Sequence, residues 1–226
     1  SNPWLTGVSD LFTADHFAVS KRKLAEGGVY CQWAQLYELS PENVKILYRT
    51  FAEHFRYVIV FSAEDLSSDT ILVGSDVPLS FDLARLRRVF ALEPVASELE
   101  RAYTHSPFDV FARTLLADKQ EILRFTRGAL INTDDNAHIE LSAPRDLIGF
   151  ERYKGYLERM YSADWPYGAL GSLLRGFGEG VDASENHAQL SLSLLSHGRK
   201  REAARILSLA RSHGVSPGLE LAEAIY

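Results

Sequence analysis

Thr133-Asp134-Asp135-Asn136 sets two carboxylates side by side, and paired negative charges attract a cationic chain such as a polyamine. Asp and Asn also favour tight turns, because their side chains bond the backbone locally. The sequence leaves both readings open. Other residues capable of chemistry give weaker patterns. His16, His54, His105, His138, His187, His197 and His213 show no metal-ligand spacing with Cys or acidic partners, and no nucleophile–histidine–acid triad can be assembled. The glycine cluster Gly176, Gly178 and Gly180 follows a predicted helix, not a strand, so it does not read as a phosphate cradle.

Cys31 is the single cysteine, which excludes an internal disulfide and fits a reducing, cytoplasmic compartment. The formal net charge of -6 argues against a nucleic-acid surface. Basic clusters at Lys21-Arg22-Lys23, Arg85-Leu86-Arg87-Arg88 and Arg199-Lys200-Arg201 fall on predicted helices and read as solvated faces. No apolar run reaches the ~18–20 residues of a membrane span.

The opening, Ser1-Asn2-Pro3-Trp4-Leu5-Thr6-Gly7, reads as a loop of the kind that leaves a buried strand. Asn-Pro is a turn dipeptide, since proline fixes its own φ and drives the preceding residue out of the helical region. The chain is therefore expected to be a piece of a longer protein that begins within a functional loop.

The elements that must position these residues follow in order. Thr13 caps a predicted helix to about Glu26 that buries Phe17, Val19 and Leu24, and Gly27-Gly28 ends it. Val29–Trp33 reads as a buried strand, with Trp33 in the core. Ser40-Pro41-Glu42 starts a helix to about His54 that buries Val44, Leu47, Tyr48 and Phe51. Residues 57–61 and 70–74 form two strands close enough to pair as a hairpin. From Leu79 onward helices are predicted near 80–90, 94–103, 107–127 (broken), 149–162, 166–175, 185–197, 199–213 and 217–225. Ser80, Ser106 and Ser184 are the expected caps, and residues 129–146 are expected to be less regular. Leu190, Leu194, Gly198, Ala203, Leu207 and Ala210 sit near the spacing of a tetratricopeptide unit, or of a plain helical hairpin. This gives three regions: 1–79, an α/β layer; 80–150, helical with the Thr-Asp-Asp loop; 151–226, an all-α extension.

Ser1-Asn2-Pro3-Trp4, Asp10-Leu11-Phe12-Thr13 and Gly27-Gly28-Val29-Tyr30-Cys31-Gln32-Trp33 together resemble the second half of the spermidine synthase family of polyamine aminopropyltransferases. Thr133-Asp134-Asp135 followed by Ile139-Glu140 is similar to a segment of bacterial proteins of that kind, many with a membrane-spanning first half. The resemblance implies the closing half of a Rossmann-like, methyltransferase-type sheet, with three strands and the final one inserted antiparallel. It implies a parent protein using S-adenosylmethionine or its decarboxylated form and a small, putrescine-like amine, and possible homo-oligomers. It further implies that Asn2, Pro3 and Trp4 line the acceptor pocket, with Gln32, Gln35 and Tyr37 at the exit of the next strand and Asp134 and Asp135 supplying charge. The amine must lose a proton before it attacks the carbon beside the sulfonium, and in the family a carboxylate takes that proton. Asn2 stands at one of that loop's acidic positions, and an amide is no base. The cofactor loop belongs to the half preceding Ser1, so this chain alone is expected to be inactive and to bind no cofactor tightly. The rival expectation is a non-catalytic module whose helical tail binds protein partners; a third is methyl transfer to another small acceptor.

Overall fold

The computed structural model describes residues 3, 5, 7–36, 38–63, 69–149, 171, 173–178, 180 and 182–226. They form two compact units, Ser1–Leu79 with Leu115–Trp165, and Ser80–Thr114 with Pro166–Tyr226.

The first unit is an α/β layer. A short 3-10 turn, Ser9–Phe12, leads into α1 (Ala14–Lys23), and Thr13 caps it by accepting the His16 N–H at 3.2 Å. Strand β1 (Val29–Gln35) follows, then α2 (Pro41–His54), capped by Ser40 with proline in the first turn. Strands β2 (Tyr57–Ser62) and β3 (Asp69–Ser75) form the expected antiparallel hairpin. β3 also pairs antiparallel with β1, from Val29 opposite Ser75 to Gln35 opposite Asp69. It is thus inserted between two strands that run parallel to one another.

Three findings depart from expectation. The sheet has a fourth member beside β2, the short strand Thr114–Leu116, giving the order β1, β3, β2 and then that strand. It interrupts the helix expected over 107–127, because Asp118 starts a new one by accepting the Glu121 N–H at 2.8 Å, while Glu121 accepts the Ala117 N–H at 2.7 Å. Next, β1 lies at the edge of the sheet and is not a buried strand: Val29 is 47% and Trp33 38% exposed, and Cys31 is exposed with them. Val19 is likewise exposed. Finally, His138–Gly149 is helical despite Pro144, where an irregular segment was expected.

The inner face of β1 meets α1 and α2 through aromatic packing. Phe17 and Phe51 meet edge-on at 5.2 Å between ring centroids, and Tyr30 stacks on Phe55 at 5.7 Å. Leu36, Leu47, Ile122 and Ile139 close the same core. Each such side chain contributes about 1.5–3 kcal/mol by leaving water.

In the second unit, β4 (Phe81–Asp82) pairs parallel with Leu174–Arg175, the sixth strand if Thr114–Leu116 is β5. Helices α3 (Leu83–Phe90), α4 (Glu93–Arg101) and α5 (Pro107–Ala112) precede β5, while α6 (Lys119–Phe125) and α7 (His138–Gly149) belong to the first unit. Asp82, not Ser80, caps α3. The expected capping pair holds at α5, where the Asp109 carboxylate accepts the Ser106 N–H at 2.8 Å. The tail is α8 (Ala183–Ser196), α9 (Lys200–Ser212) and α10 (Pro217–Ile225). Ser184 does not cap α8; its hydroxyl donates to the Gly214 carbonyl at 2.7 Å. The helix expected over 149–162 lies outside the described residues beyond Gly149, as do residues 166–170 and 172 of that expected over 166–175, whose last two residues, Leu174–Arg175, form a strand. Among the described residues no helix is long and apolar enough to cross a membrane.

Candidate functional site

The polar face of the first unit is assembled by residues far apart in sequence. Asn132 is its hub. Its backbone N–H donates to Thr50 Oγ1 at 2.9 Å, its amide Nδ2 to the Phe12 carbonyl at 3.2 Å, and its Oδ1 accepts the Ile139 N–H at 3.1 Å. The Ala14 N–H donates to its carbonyl at 2.8 Å. One fully buried residue, through its backbone and side chain together, thereby fixes the entry of α1, the middle of α2 and the start of α7. Asn136 and Thr133 exchange bonds, the Thr133 N–H to Asn136 Oδ1 and the Asn136 N–H to Thr133 Oγ1, each at 3.1 Å. The Thr-Asp-Asp-Asn stretch is therefore a side-chain-stabilised turn ahead of α7. Asp134 and Asp135 stand exposed on it.

That turn is held against α1, where the Asp134 N–H donates to the Asp15 carboxylate at 2.9 Å. Next to Asp15 lies His16, which has no ligand or triad spacing in the sequence and gains its polar partners only from the fold. His16 Nε2 is 3.0 Å from the Tyr30 hydroxyl and 3.2 Å from Ser20 Oγ. The Tyr30 hydroxyl donates to Gln32 Oε1 at 3.0 Å, and Gln32 Nε2 donates to the Trp33 carbonyl at 2.9 Å. Burial lowers the pKa of the His16 ring, and the Asp134 charge partly raises it again. Burial pushes the Tyr30 hydroxyl upward, keeping it protonated. Gln32 is thus linked to the imidazole through Tyr30, and the Asp134 charge acts on the same ring.

Gln35 is not part of that group. Side chains alternate along a strand, so Tyr30, Gln32 and Ala34 share the face toward α1 and α2, while Gln35 points to the other. It is wholly buried, and neither atom of its amide has a hydrogen-bond partner. Pro3 is buried. Asn2, Trp4 and Tyr37 lie outside the described residues.

A cavity of about 240 Å³ at the amino end of β1, lined by Lys21, Glu26, Gly28 and Asp76, is spanned by the Lys21–Asp76 ion pair at 2.9 Å. The Gly176–Gly180 turn follows a short strand, contrary to expectation, and leads into α8. Its Gly176 and Phe177 carbonyls accept from Asn186 Nδ2 at 3.0 and 2.9 Å, so it is bonded into its own unit. Among the described residues no strand ends in a glycine-rich turn that is both free of bonds to its own unit and followed by an acid. Among the described residues no group of three or more His, Cys, Asp or Glu could hold a metal ion.

No protein-family model, curated protein or solved structure matches this chain.

Proposed function

We propose that this chain is the closing part of a spermidine-synthase-like transferase, which joins a small amine to a group carried by S-adenosylmethionine or its decarboxylated form. The observation that carries the reading is the strand order β1, β3, β2, with β3 antiparallel between two parallel strands. It is the closing arrangement that the resemblance implies, with β1 left as an open edge. The polar cluster His16, Tyr30, Gln32 and Asp134 supports an amine-facing role, since it offers acceptors and a negative charge. The resemblance places the amine's proton acceptor on the loop that contains Asn2.

Calorimetry on the full-length protein tests this. Putrescine and decarboxylated S-adenosylmethionine should each give a saturable heat with the full-length protein, and the cofactor should give none with this chain alone. Absence of heat from both ligands with the full-length protein would overturn the proposal.

A second reading is a degenerate module whose tail binds a protein. Leu221 and Ile225, one helical turn apart on α10, are both more than half exposed and favour it. The opposite side of the tail is closed, because Arg87 donates to Asn186 at 2.7 Å and Ser193 to Asp109 at 2.7 Å.

A further inference from the structure

The chain of bonds from Ser20 through His16 and Tyr30 to Gln32 has a polarity set by one proton. Tyr30 has a single O–H. When it donates to Gln32 Oε1, its oxygen can only accept from His16, which requires the imidazole proton on Nε2. When a neutral imidazole carries its proton on Nδ1, Nε2 is an acceptor. The Ser20 and Tyr30 hydroxyls, 3.2 and 3.0 Å away, then compete to donate to it, and where the Tyr30 O–H turns toward it Gln32 Oε1 loses its donor. A protonated imidazole has both N–H groups and enforces the first arrangement.

We infer that His16 is the positioning residue of Gln32: acting through Tyr30, it decides whether the Gln32 carbonyl oxygen is occupied or open to an incoming N–H donor. Acid closes that oxygen, and the neutral imidazole can open it. The groups around the imidazole are consistent with such a device. β1 presents Tyr30, α1 presents Ser20 and Asp15, and the turn before α7 presents Asp134. Phe17 lies edge-on to the imidazole at 5.7 Å, and α2 sets Phe51 and His54 against Phe17. Burial places the change below the ordinary value of 6.5. That the incoming donor is a small amine rests on the transferase reading; the switch itself does not.

Side-chain NMR of this chain between pH 4.5 and 8 tests it without any ligand. The Gln32 side-chain amide resonances should move with the same midpoint as the His16 imidazole. In Tyr30→Phe, which keeps the ring packing and removes the O–H, His16 should still titrate and the Gln32 response should be lost. In His16→Gln the Gln32 resonances should become independent of pH over this range. A Gln32 amide that stays still while His16 titrates would overturn the inference, as would a response unchanged in Tyr30→Phe. Failure of the transferase assay would leave these outcomes untouched.

Discussion

Asp146 accepts the backbone N–H of Ser40 at 2.7 Å, 106 residues away in sequence, and the same oxygen accepts Asn43 Nδ2 at 2.6 Å. Ser40 caps α2 with its own hydroxyl, so Asp146 gives that helix start a second, charged acceptor from α7. The first unit is locked at the point where α7 crosses the α2 terminus.

Replacing Asp146 with alanine leaves two buried donors unpaired, and charge-assisted bonds of this kind are worth about 1.5–3 kcal/mol. Asp146→Ala should lower unfolding free energy by about 2–3 kcal/mol in chemical denaturation, with Asp146→Asn recovering part of it. A loss below about 0.5 kcal/mol would mean that the contact does not hold the unit together.

Gly74 sits in β3 opposite both Tyr30 and Val58. A Cβ there would stand 2.5 Å from Phe55 Cγ and 3.0 Å from Phe51 Cε1, inside the aromatic core. Gly74→Ala should therefore destabilise by about 1–3 kcal/mol. Calorimetric melting checks it; an unchanged melting temperature would show that the two rings move aside freely.

The sequence made much of this legible because local rules and tertiary packing agreed. Ser40-Pro41 marked the start of α2, and two short apolar runs, residues 57–61 and 70–74, marked the β2–β3 hairpin, both where the structure has them. It failed where distant partners decide. Pro144 and the polar run before it hid α7, whose start is fixed by the Ile139 N–H donating to Asn132, itself held by Phe12 and Thr50. Val29–Trp33 looked buried because its residues are apolar, yet its place in the sheet order leaves it at an edge. For the site, Gln32 and Asp134 were legible as residue types. His16 was not, because only the fold carries the Asp134 turn to α1.

The tail should respond to acid. His187 is buried, its Nδ1–H donates to the Ala183 carbonyl at 2.7 Å, and it stacks on His213 at 4.8 Å. Burial first, and the His213 charge after the opposing Ala183 bond, hold its pKa below 6.5. The unfolded chain thus takes up a proton more readily than the folded one. Stability present above pH 6.5 is lost as the pH falls through the folded value. His16 and His54, in the first unit, are shifted the same way and give that unit the same trend. The urea midpoint should be lower at pH 5.5 than at 7.5, and His187→Phe should narrow that gap. An equal gap in the variant would remove His187 from the account.

Product analysis of the full-length protein tests the transferase reading most directly. Incubated with putrescine and decarboxylated S-adenosylmethionine, it should form an aminopropylated amine detectable by mass spectrometry, while this chain alone forms none. If the full-length protein forms no new carbon–nitrogen bond on any small amine, with either form of the cofactor, the transferase account is contradicted and the partner-binding reading takes its place.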